Sequence, residues 1–254
     1  MKVGIRDGML GLSLEETFQK AKAIGFSGLE ICMGADYRNH PIWQEGGIDQ
    51  LNAWSETYQI EICSLSPGGF TAFSFANPVD SIRTEGIAML QRLAEVAPDL
   101  GATVILVPFF GNGQIKPEDL QSGRFLDGWK MAAETADKSE VYFGIESTVS
   151  AEDHLSIIDR VGSSRIGVYY DMGNATSIGY DSPSEIQQLG NAIVQMHIKD
   201  TGGNHAGEGE VDFDAVFSAS NAIGYNGWWV LETPGNDDRI ASAEKNMNFV
   251  CQNA

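Results

Sequence analysis

Four side chains with metal-ligating chemistry stand at the ends of apolar segments in the second half of the chain. They are Glu146, Asp171, His197 and Glu232. Three carboxylates and one imidazole form a hard, oxygen-rich ligand set, which suits Mn²⁺ or Mg²⁺ and tolerates Co²⁺ or Zn²⁺. A dedicated zinc site is disfavoured because no Cys and no second nearby His accompanies them in the sequence. The pattern therefore predicts a site for one divalent metal ion.

Each of these residues alone has a simpler interpretation. A carboxylate at a strand end commonly caps a helix or forms an ion pair, and a single histidine such as His197 can be a hydrogen-bonded core residue. Four such residues on four consecutive strands favour the metal site, because a cation neutralises carboxylates that would otherwise repel one another. Glu30, near the end of an earlier predicted strand, is left outside this set.

Spacing indicates the elements that position these residues. The four are separated by 25, 26 and 35 residues, each close to the length of one strand–helix unit. Eight short apolar segments are nearly continuous in hydrophobic character, as expected for parallel strands covered on both faces. The predicted strands are 2–6, 28–32, 61–66, 103–108, 142–147, 166–171, 194–200 and 228–233.

Helical periodicity and capping signals occupy the segments between the strands. Ser13 with Glu16 forms a capping box, Gly25 ends that helix, and Ser182, Pro183 and Glu185 suit an N-cap, N1 and N3. The other predicted helices are 47–58, 79–97, 117–138, 151–161, 212–223 and 237–250. Eight alternating units in 254 residues predict one α/β domain over 1–254, a (β/α)8 TIM barrel. An open doubly wound sheet is the alternative, but no strand precedes a GxGxxG turn.

Composition narrows the classes of partner. The net charge of −19 disfavours nucleic acid, since it repels phosphate backbones. No apolar run approaches the ~20 residues that cross a bilayer, and no signal-peptide pattern opens the chain, so we expect a soluble, cytoplasmic protein without a membrane partner. Cys32, Cys63 and Cys251 lack CxxC spacing and are odd in number, which argues against a disulfide framework, and Cys32 and Cys63, in apolar segments, are expected to be reduced thiols.

The chain resembles the xylose-isomerase-like sugar-phosphate isomerase/epimerase superfamily in five motifs that occur in a fixed order. They are GIES (144–147), GVYYDMGNA (167–175), MHIKD (196–200), GEGEVDF (207–213) and VLE (230–232). Within it, the chain is most similar to 3-epimerases of ketoses or ketose phosphates. The resemblance implies that Glu146, Asp171, His197 and Glu232 bind the metal and that Glu146 and Glu232 are the acid–base pair. Asn174 stands where free-sugar epimerases often have His, which favours phosphorylated substrates.

Three further residues are predicted to contact the substrate: Asn174, Lys199 and Glu208. Lys199 shares a strand face with His197, so it is expected either to reach a substrate hydroxyl or phosphate, or to pair with an acid such as Asp200. The glycines beside Glu208 either present backbone N–H groups to an anion or form a tight loop.

The chemistry expected is inversion at carbon 3 of a sugar or sugar phosphate through a cis-enediolate, stabilised by the cation. Two carboxylates on opposite faces are required, because one base alone returns the proton to its own side. An aldose–ketose isomerase, an inositol-type dehydratase and a sugar-binding barrel without turnover are the alternatives. The sequence leaves the oligomeric state open, a homo-oligomer included.

Overall fold

Eight parallel strands close into a barrel in the order of the chain. The computed structural model describes residues 1–233, 235 and 238–253. The strands are β1 (Lys2–Arg6), β2 (Gly28–Cys32), β3 (Glu61–Ser66), β4 (Val104–Pro108), β5 (Tyr142–Glu146), β6 (Ile166–Asp171), β7 (Ile193–Ile198) and β8 (Trp228–Leu231). β8 pairs with β1, which closes the ring. The predicted (β/α)8 barrel is confirmed, and each strand lies within two residues of its predicted bounds.

Helices cover the outside of the barrel between successive strands. Those in the described ranges are α1 (Leu14–Ile24), α2 (Gly47–Tyr58), α3 (Asp80–Val96), α4 (Pro117–Leu120), α5 (Gly123–Ser139), α6 (Ala151–Val161), α7 (Met172–Ser177), α8 (Ser182–Leu189), α9 (Phe213–Ala222) and α10 (Arg239–Asn253). No helix in this part of the chain combines the length and apolar character needed to cross a bilayer. The predicted single domain includes 234, 236, 237 and 254, which lie outside the described residues.

Local sequence explains where α1 begins and ends. The Ser13 and Glu16 side chains form the predicted capping box, which satisfies free N–H groups of the first turn. Gly25 ends the helix with φ of 109°, a left-handed conformation that glycine adopts without steric cost. Strands such as β4 are buried throughout, as their continuous apolar sequence predicts.

Two helix predictions need correction, and a third falls partly outside the described residues. The predicted helix 117–138 is two helices, α4 and α5, because the Ser122 hydroxyl caps a new start by accepting from Phe125 N. The N-cap of α8 is Asp181 rather than Ser182, and Glu185 instead accepts a hydrogen bond from Ala151 N. The last helix is observed from Arg239, and its predicted first residue, 237, lies outside the described residues.

The helix α7 was not predicted. It begins directly after β6, and the Asp171 side chain accepts a hydrogen bond from Asn174 N at 2.7 Å. This arrangement fixes Oδ1 of Asp171, while Oδ2 lies near His197 and Lys199. It also places Asn174 within the first turn of α7, beside the site described next.

Candidate metal and acid–base site

The four predicted metal ligands meet at the carboxyl end of the barrel. Glu146 ends β5, Asp171 ends β6, His197 lies near the end of β7 and Glu232 directly follows β8. Register pairs Asp171 with His197, so neighbouring strands present them at one level. One ligand atom from each residue lies within 4.8 Å of the others. The barrel therefore brings all four to one point, and the metal-binding role itself stays a prediction.

The His197 ring is surrounded by carboxylates and fully buried. Its Nδ1 lies 3.1 Å from Glu146 Oε1, 3.1 Å from Glu232 Oε2 and 3.8 Å from Asp171 Oδ2. These oxygens and Nδ1 all converge on the same small volume. They form a donor set of one nitrogen and three oxygens, which is the set that a hard divalent cation prefers.

Asp171 gives the clearest indication that this volume suits a cation. Its Oδ2 is buried and has no hydrogen-bond partner among the described residues. Burial, with added repulsion from Glu146 and Glu232, raises the pKa of Asp171 to about 7, although Lys199 and His197 oppose the shift. Carboxylates held together without enough positive charge favour protonation or metal binding. The residues present therefore fit a divalent ion.

Glu232 differs from Asp171 because two basic side chains reach it. Burial alone would raise the pKa of Glu232, but His197, Arg6 and Lys199 together hold it well below its usual range. Arg6 Nη1 contacts Glu232 Oε1 directly. Glu232 is thus an ionised carboxylate at neutral pH, which is the state that binds a cation.

Lys199 lies just beyond β7 and pairs with carboxylates of the site. Its Nζ lies 3.5 Å from Asp171 Oδ2 and 3.6 Å from Glu232 Oε2. Burial lowers the pKa of Lys199, but Asp171, Glu232 and Glu146 outweigh it and raise the value. Of the expected alternatives, pairing with an acid is observed, and the acids are those of the site rather than Asp200.

A cavity of about 300 Å³ opens above this cluster. Both glutamates line it, as do Asn174 and Lys199, two of the residues predicted to contact substrate. The third, Glu208, is not among the described residues that line it. Glu208 is half exposed and forms an ion pair with Lys245 at 2.7 Å. The structure therefore gives no support to the predicted contact between Glu208 and substrate.

The loop after β7 uses its N–H groups internally. Asp200 accepts hydrogen bonds from the backbone N of Thr201, Gly207, Gly209 and Val211, at 2.7 to 3.1 Å. These donors are satisfied by a buried carboxylate of the same loop. The observed geometry is the tight-loop alternative, with these four groups directed to Asp200 and not to a bound anion.

Two charged residues of the site lie outside the predicted set: Glu30, which was noted near a strand end but left out, and Arg6, which was not predicted. Arg6 ends β1 and lines the cavity, and Glu30 on β2 is fully buried beneath it. Arg6 Nε lies 3.1 Å from Glu30 Oε1, and His197 Nε2 lies 3.2 Å from the same oxygen. The signal was present, because both residues are charged and stand at or near the ends of apolar strands on the same rim.

Fold and site together define a class: (β/α)8 barrels with a carboxylate–histidine cluster at the carboxyl ends of β5 to β8. The chain belongs to the xylose isomerase-like TIM barrel family, whose model matches residues 18–252. It is 26% identical over 232 residues to the L-ribulose-5-phosphate 3-epimerase UlaE of Escherichia coli K12, covering 85% of this chain and 81% of that protein.

Solved structures of similar fold include ketose 3-epimerases and a keto-glucoside epimerase. An L-ribulose 3-epimerase matches with a TM-score of 0.84 at 18% identity, over 100% of this chain and 94% of that one. D-psicose 3-epimerase from Clostridium cellulolyticum H10, solved with D-tagatose, matches with a TM-score of 0.82 at 18% identity, over 100% of this chain and 99% of that one. The 3-keto-D-glucoside 4-epimerase YcjR of E. coli matches with a TM-score of 0.80 at 18% identity, over 99% of each chain. At these identities the likeness establishes the fold.

Proposed function

We propose that this protein is a divalent-metal-dependent epimerase that inverts carbon 3 of a ketose. One observation carries the proposal: Glu146 and Glu232 share a cation-compatible cluster with Asp171 and His197 and also line the cavity above it. The names of the relatives support the reaction class, since they include 3-epimerases of ketoses and of a ketose phosphate.

Inversion requires a proton to leave one face of carbon 3 and a proton to return on the other. Glu146 and Glu232 come from β5 and β8, which are separated around the ring by β6 and β7. A sugar between them would have one carboxylate on each face. One glutamate removes the proton and the other supplies it to the opposite face, and the reverse reaction exchanges their roles.

A bound divalent cation would supply Lewis-acid polarisation of adjacent sugar oxygens, which acidifies the neighbouring C–H bond. The side chains of this protein do the remainder. Lys199 and Arg6 place positive charge next to Glu232, which favours its ionised form. Leu106, Pro108 and Phe110 form an apolar wall of the cavity that limits access of water to the reacting carbon.

The finer parts of the proposal rest on separate observations. Mn²⁺ or Mg²⁺ is the preferred ion because oxygen donors dominate the cluster. The substrate is a sugar or sugar phosphate, and the acidic chain, with net charge −19, takes no nucleic-acid partner. The three cysteines Cys32, Cys63 and Cys251 are free, which supports a reducing, cytoplasmic location.

Solvent-deuterium exchange tests the reaction directly. Protein supplied with Mn²⁺ is incubated in D₂O with matched pairs, ribulose with ribulose 5-phosphate and fructose with fructose 6-phosphate, and followed by NMR. We expect deuterium at carbon 3 and an inverted product. Deuterium at carbon 1 or 2 would indicate an aldose–ketose isomerase, and a product that has lost water would indicate a dehydratase. No exchange with any sugar would contradict an enzymatic role on ketoses.

Single-glutamate variants sharpen this experiment. With only one base, the variant Glu146→Gln or Glu232→Gln can exchange the carbon 3 hydrogen of one epimer but cannot return a proton to the opposite face. We therefore expect deuterium uptake without inversion in at least one of these variants at saturating Mn²⁺. Inversion at the wild-type rate in either variant would contradict the two-base mechanism.

A further inference from the structure

Glu30 is a buried carboxylate to which the proposed reaction assigns no role. Its side chain is completely buried within the barrel on β2, and it is not among the described residues that line the substrate cavity. An isolated charge in such a place is strongly unfavourable, so a buried carboxylate is expected to have specific partners. The identity of those partners indicates what Glu30 does.

Each oxygen of Glu30 has its own pair of partners. Oε1 lies 3.2 Å from His197 Nε2 and 3.1 Å from Arg6 Nε. Oε2 accepts hydrogen bonds from the Ser64 hydroxyl at 2.9 Å and the Tyr169 hydroxyl at 2.7 Å. The carboxylate is therefore fixed in position and in rotation, with Oε1 directed at the imidazole.

The hydrogen bonds beneath Glu30 run in one direction. The Gln195 amide nitrogen donates to the Ser64 hydroxyl at 2.8 Å and to the Tyr169 hydroxyl at 2.9 Å. Because each hydroxyl accepts from this amide, its own hydrogen is available for Glu30. Glu30 thus receives donors on Oε2 and can only act as an acceptor toward His197.

We propose that Glu30 is a positioning residue that holds the proton of His197 on Nε2, so that the lone pair of Nδ1 is directed at the metal. With a cation bound at Nδ1, His197 would be a neutral imidazole with one N–H group, and an acceptor on the other nitrogen fixes that group there. Nδ1 faces Glu146 and Glu232, each at 3.1 Å, which are acceptors as well. This role deepens the proposed function and rests on its metal site.

The tautomer of His197 gives a readout that does not depend on turnover. In ¹⁵N-histidine-labelled protein saturated with Zn²⁺, long-range ¹H–¹⁵N correlation spectra identify the protonated nitrogen of each of the four histidines. We expect His197, assigned by its loss in His197→Gln, to carry its proton on Nε2 and to bind zinc through Nδ1. A proton on Nδ1, or zinc on Nε2, would overturn the proposal even if no Glu30 variant folds.

Calorimetric titration with Mn²⁺ measures how much Glu30 contributes to the affinity of the site for the metal. Glu30→Gln keeps the size of the side chain and removes its charge, and we expect a Kd 10- to 100-fold higher than wild type, the range found when an outer partner of a metal ligand is removed. Glu185→Gln is the matched control, since Glu185 also accepts from a tyrosine, Tyr170, outside this network. It is expected to leave the Kd unchanged.

Two outcomes separate this role from the proposed function. Wild-type protein that binds Mn²⁺ while Glu30→Gln binds it equally tightly would overturn the role of Glu30 and leave the epimerase proposal standing. Wild-type protein that binds neither Mn²⁺ nor Zn²⁺ would overturn the metal site of the proposed function, and the role of Glu30 with it.

Discussion

Arg6 and Glu232 lie 226 residues apart in the chain and form an ion pair across the seam where β8 meets β1. The same guanidinium also pairs with Glu30 on β2. Arg6 on the first strand therefore contacts both the residue after the last strand and a residue of the second strand. Arg6 is the last residue of β1, and its side chain is only 20% exposed. The Arg6–Glu232 ion pair therefore holds the first strand against the residue after the last strand and also fixes the position of Glu232, a proposed catalytic carboxylate.

Replacement of Arg6 by Met should destabilise the protein strongly. Two carboxylates, Glu30 and Glu232, would lose their shared cation in a largely buried site, and we expect about 3 kcal/mol off the free energy of unfolding. Arg6→Lys keeps the positive charge and should recover part of the lost stability. The recovery should be incomplete because an ammonium cannot span both carboxylates as a guanidinium does. Urea unfolding of the metal-free variants measures both values.

Lys2 provides the control on the same strand. It pairs with Glu61 at 3.0 Å, but both side chains are more than half exposed. Exposed pairs of this kind contribute little, so Lys2→Met should lower the unfolding free energy by less than about 0.5 kcal/mol. Equal effects of Arg6→Met and Lys2→Met would contradict a structural role for the Arg6 ion pairs.

Replacement of Asp171 by Asn should stabilise the metal-free protein while weakening metal binding. Burial and neighbouring carboxylates raise the pKa of Asp171 to about 7, so its charge is unfavourable in the folded state at neutral pH. We expect a gain of about 2 kcal/mol in the free energy of unfolding at pH 7 without metal. The Asn side chain can still cap α7. Loss of stability together with unchanged Mn²⁺ affinity would argue against the cation site.

Replacement of Asp200 by Ala should disrupt the loop after β7. Four backbone N–H groups, those of Thr201, Gly207, Gly209 and Val211, would lose their acceptor. We expect a loss of roughly 2–4 kcal/mol in unfolding free energy and faster hydrogen exchange across 201–211.

Glu208 supplies the comparison in the same loop. Its pair with Lys245 is half exposed, so Glu208→Ala should change the unfolding free energy by less than about 0.5 kcal/mol and leave KM unchanged. A large rise in KM for this variant would restore the substrate contact predicted from sequence. A small stability effect of Asp200→Ala would show that water replaces the lost acceptor.

Acid should destabilise the fold through His154 on α6. Burial lowers the pKa of this histidine to about 4, although the Ser150 carbonyl and Asp153 oppose the shift. A histidine in the unfolded chain has a pKa of about 6.5. Between these values the unfolded chain binds a proton that the folded chain does not, so stability falls as pH falls from about 6.5 to 4. The loss approaches roughly 3 kcal/mol.

Unfolding free energies at several pH values test this contribution. His154→Gln has no titrating ring, so its unfolding free energy should change less between pH 6.5 and 4 than that of the wild type. The variant should remain folded, since an amide can keep one of the contacts with the Ser147 hydroxyl and the Ser150 carbonyl. Parallel curves for the two proteins would contradict a buried, neutral His154.

The four clustered residues were predictable because they obey one local rule. Each follows an apolar run, and in a parallel barrel such positions share one rim. The rule also applies to Arg6 and Glu30, but their partnership depends on side-chain contacts across the seam between β8 and β1 and across the barrel interior. Sequence spacing predicts the closed ring but not these contacts, so Glu30 stays outside the predicted set and Arg6 is not among the predicted site residues.

Loop conformation limited the prediction after β7. Asp200 and Glu208 are both acids near the glycines, and sequence alone does not say which faces inward. Gly207 adopts φ of 81° and directs its N–H to Asp200, whereas Glu208 points outward to Lys245. The sequence likewise shows Asp171 only as an acid at the end of a strand. The structure shows that α7 begins directly after it and that one of its oxygens caps this helix.

Anomalous diffraction from crystals grown with Mn²⁺ locates the ion independently of any substrate. We expect one strong anomalous peak bonded to Glu146, Asp171, His197 Nδ1 and Glu232, at the short distances typical of a divalent ion with oxygen and nitrogen ligands. A peak elsewhere, or a peak bonded to none or only one of these side chains, would contradict the proposed metal site.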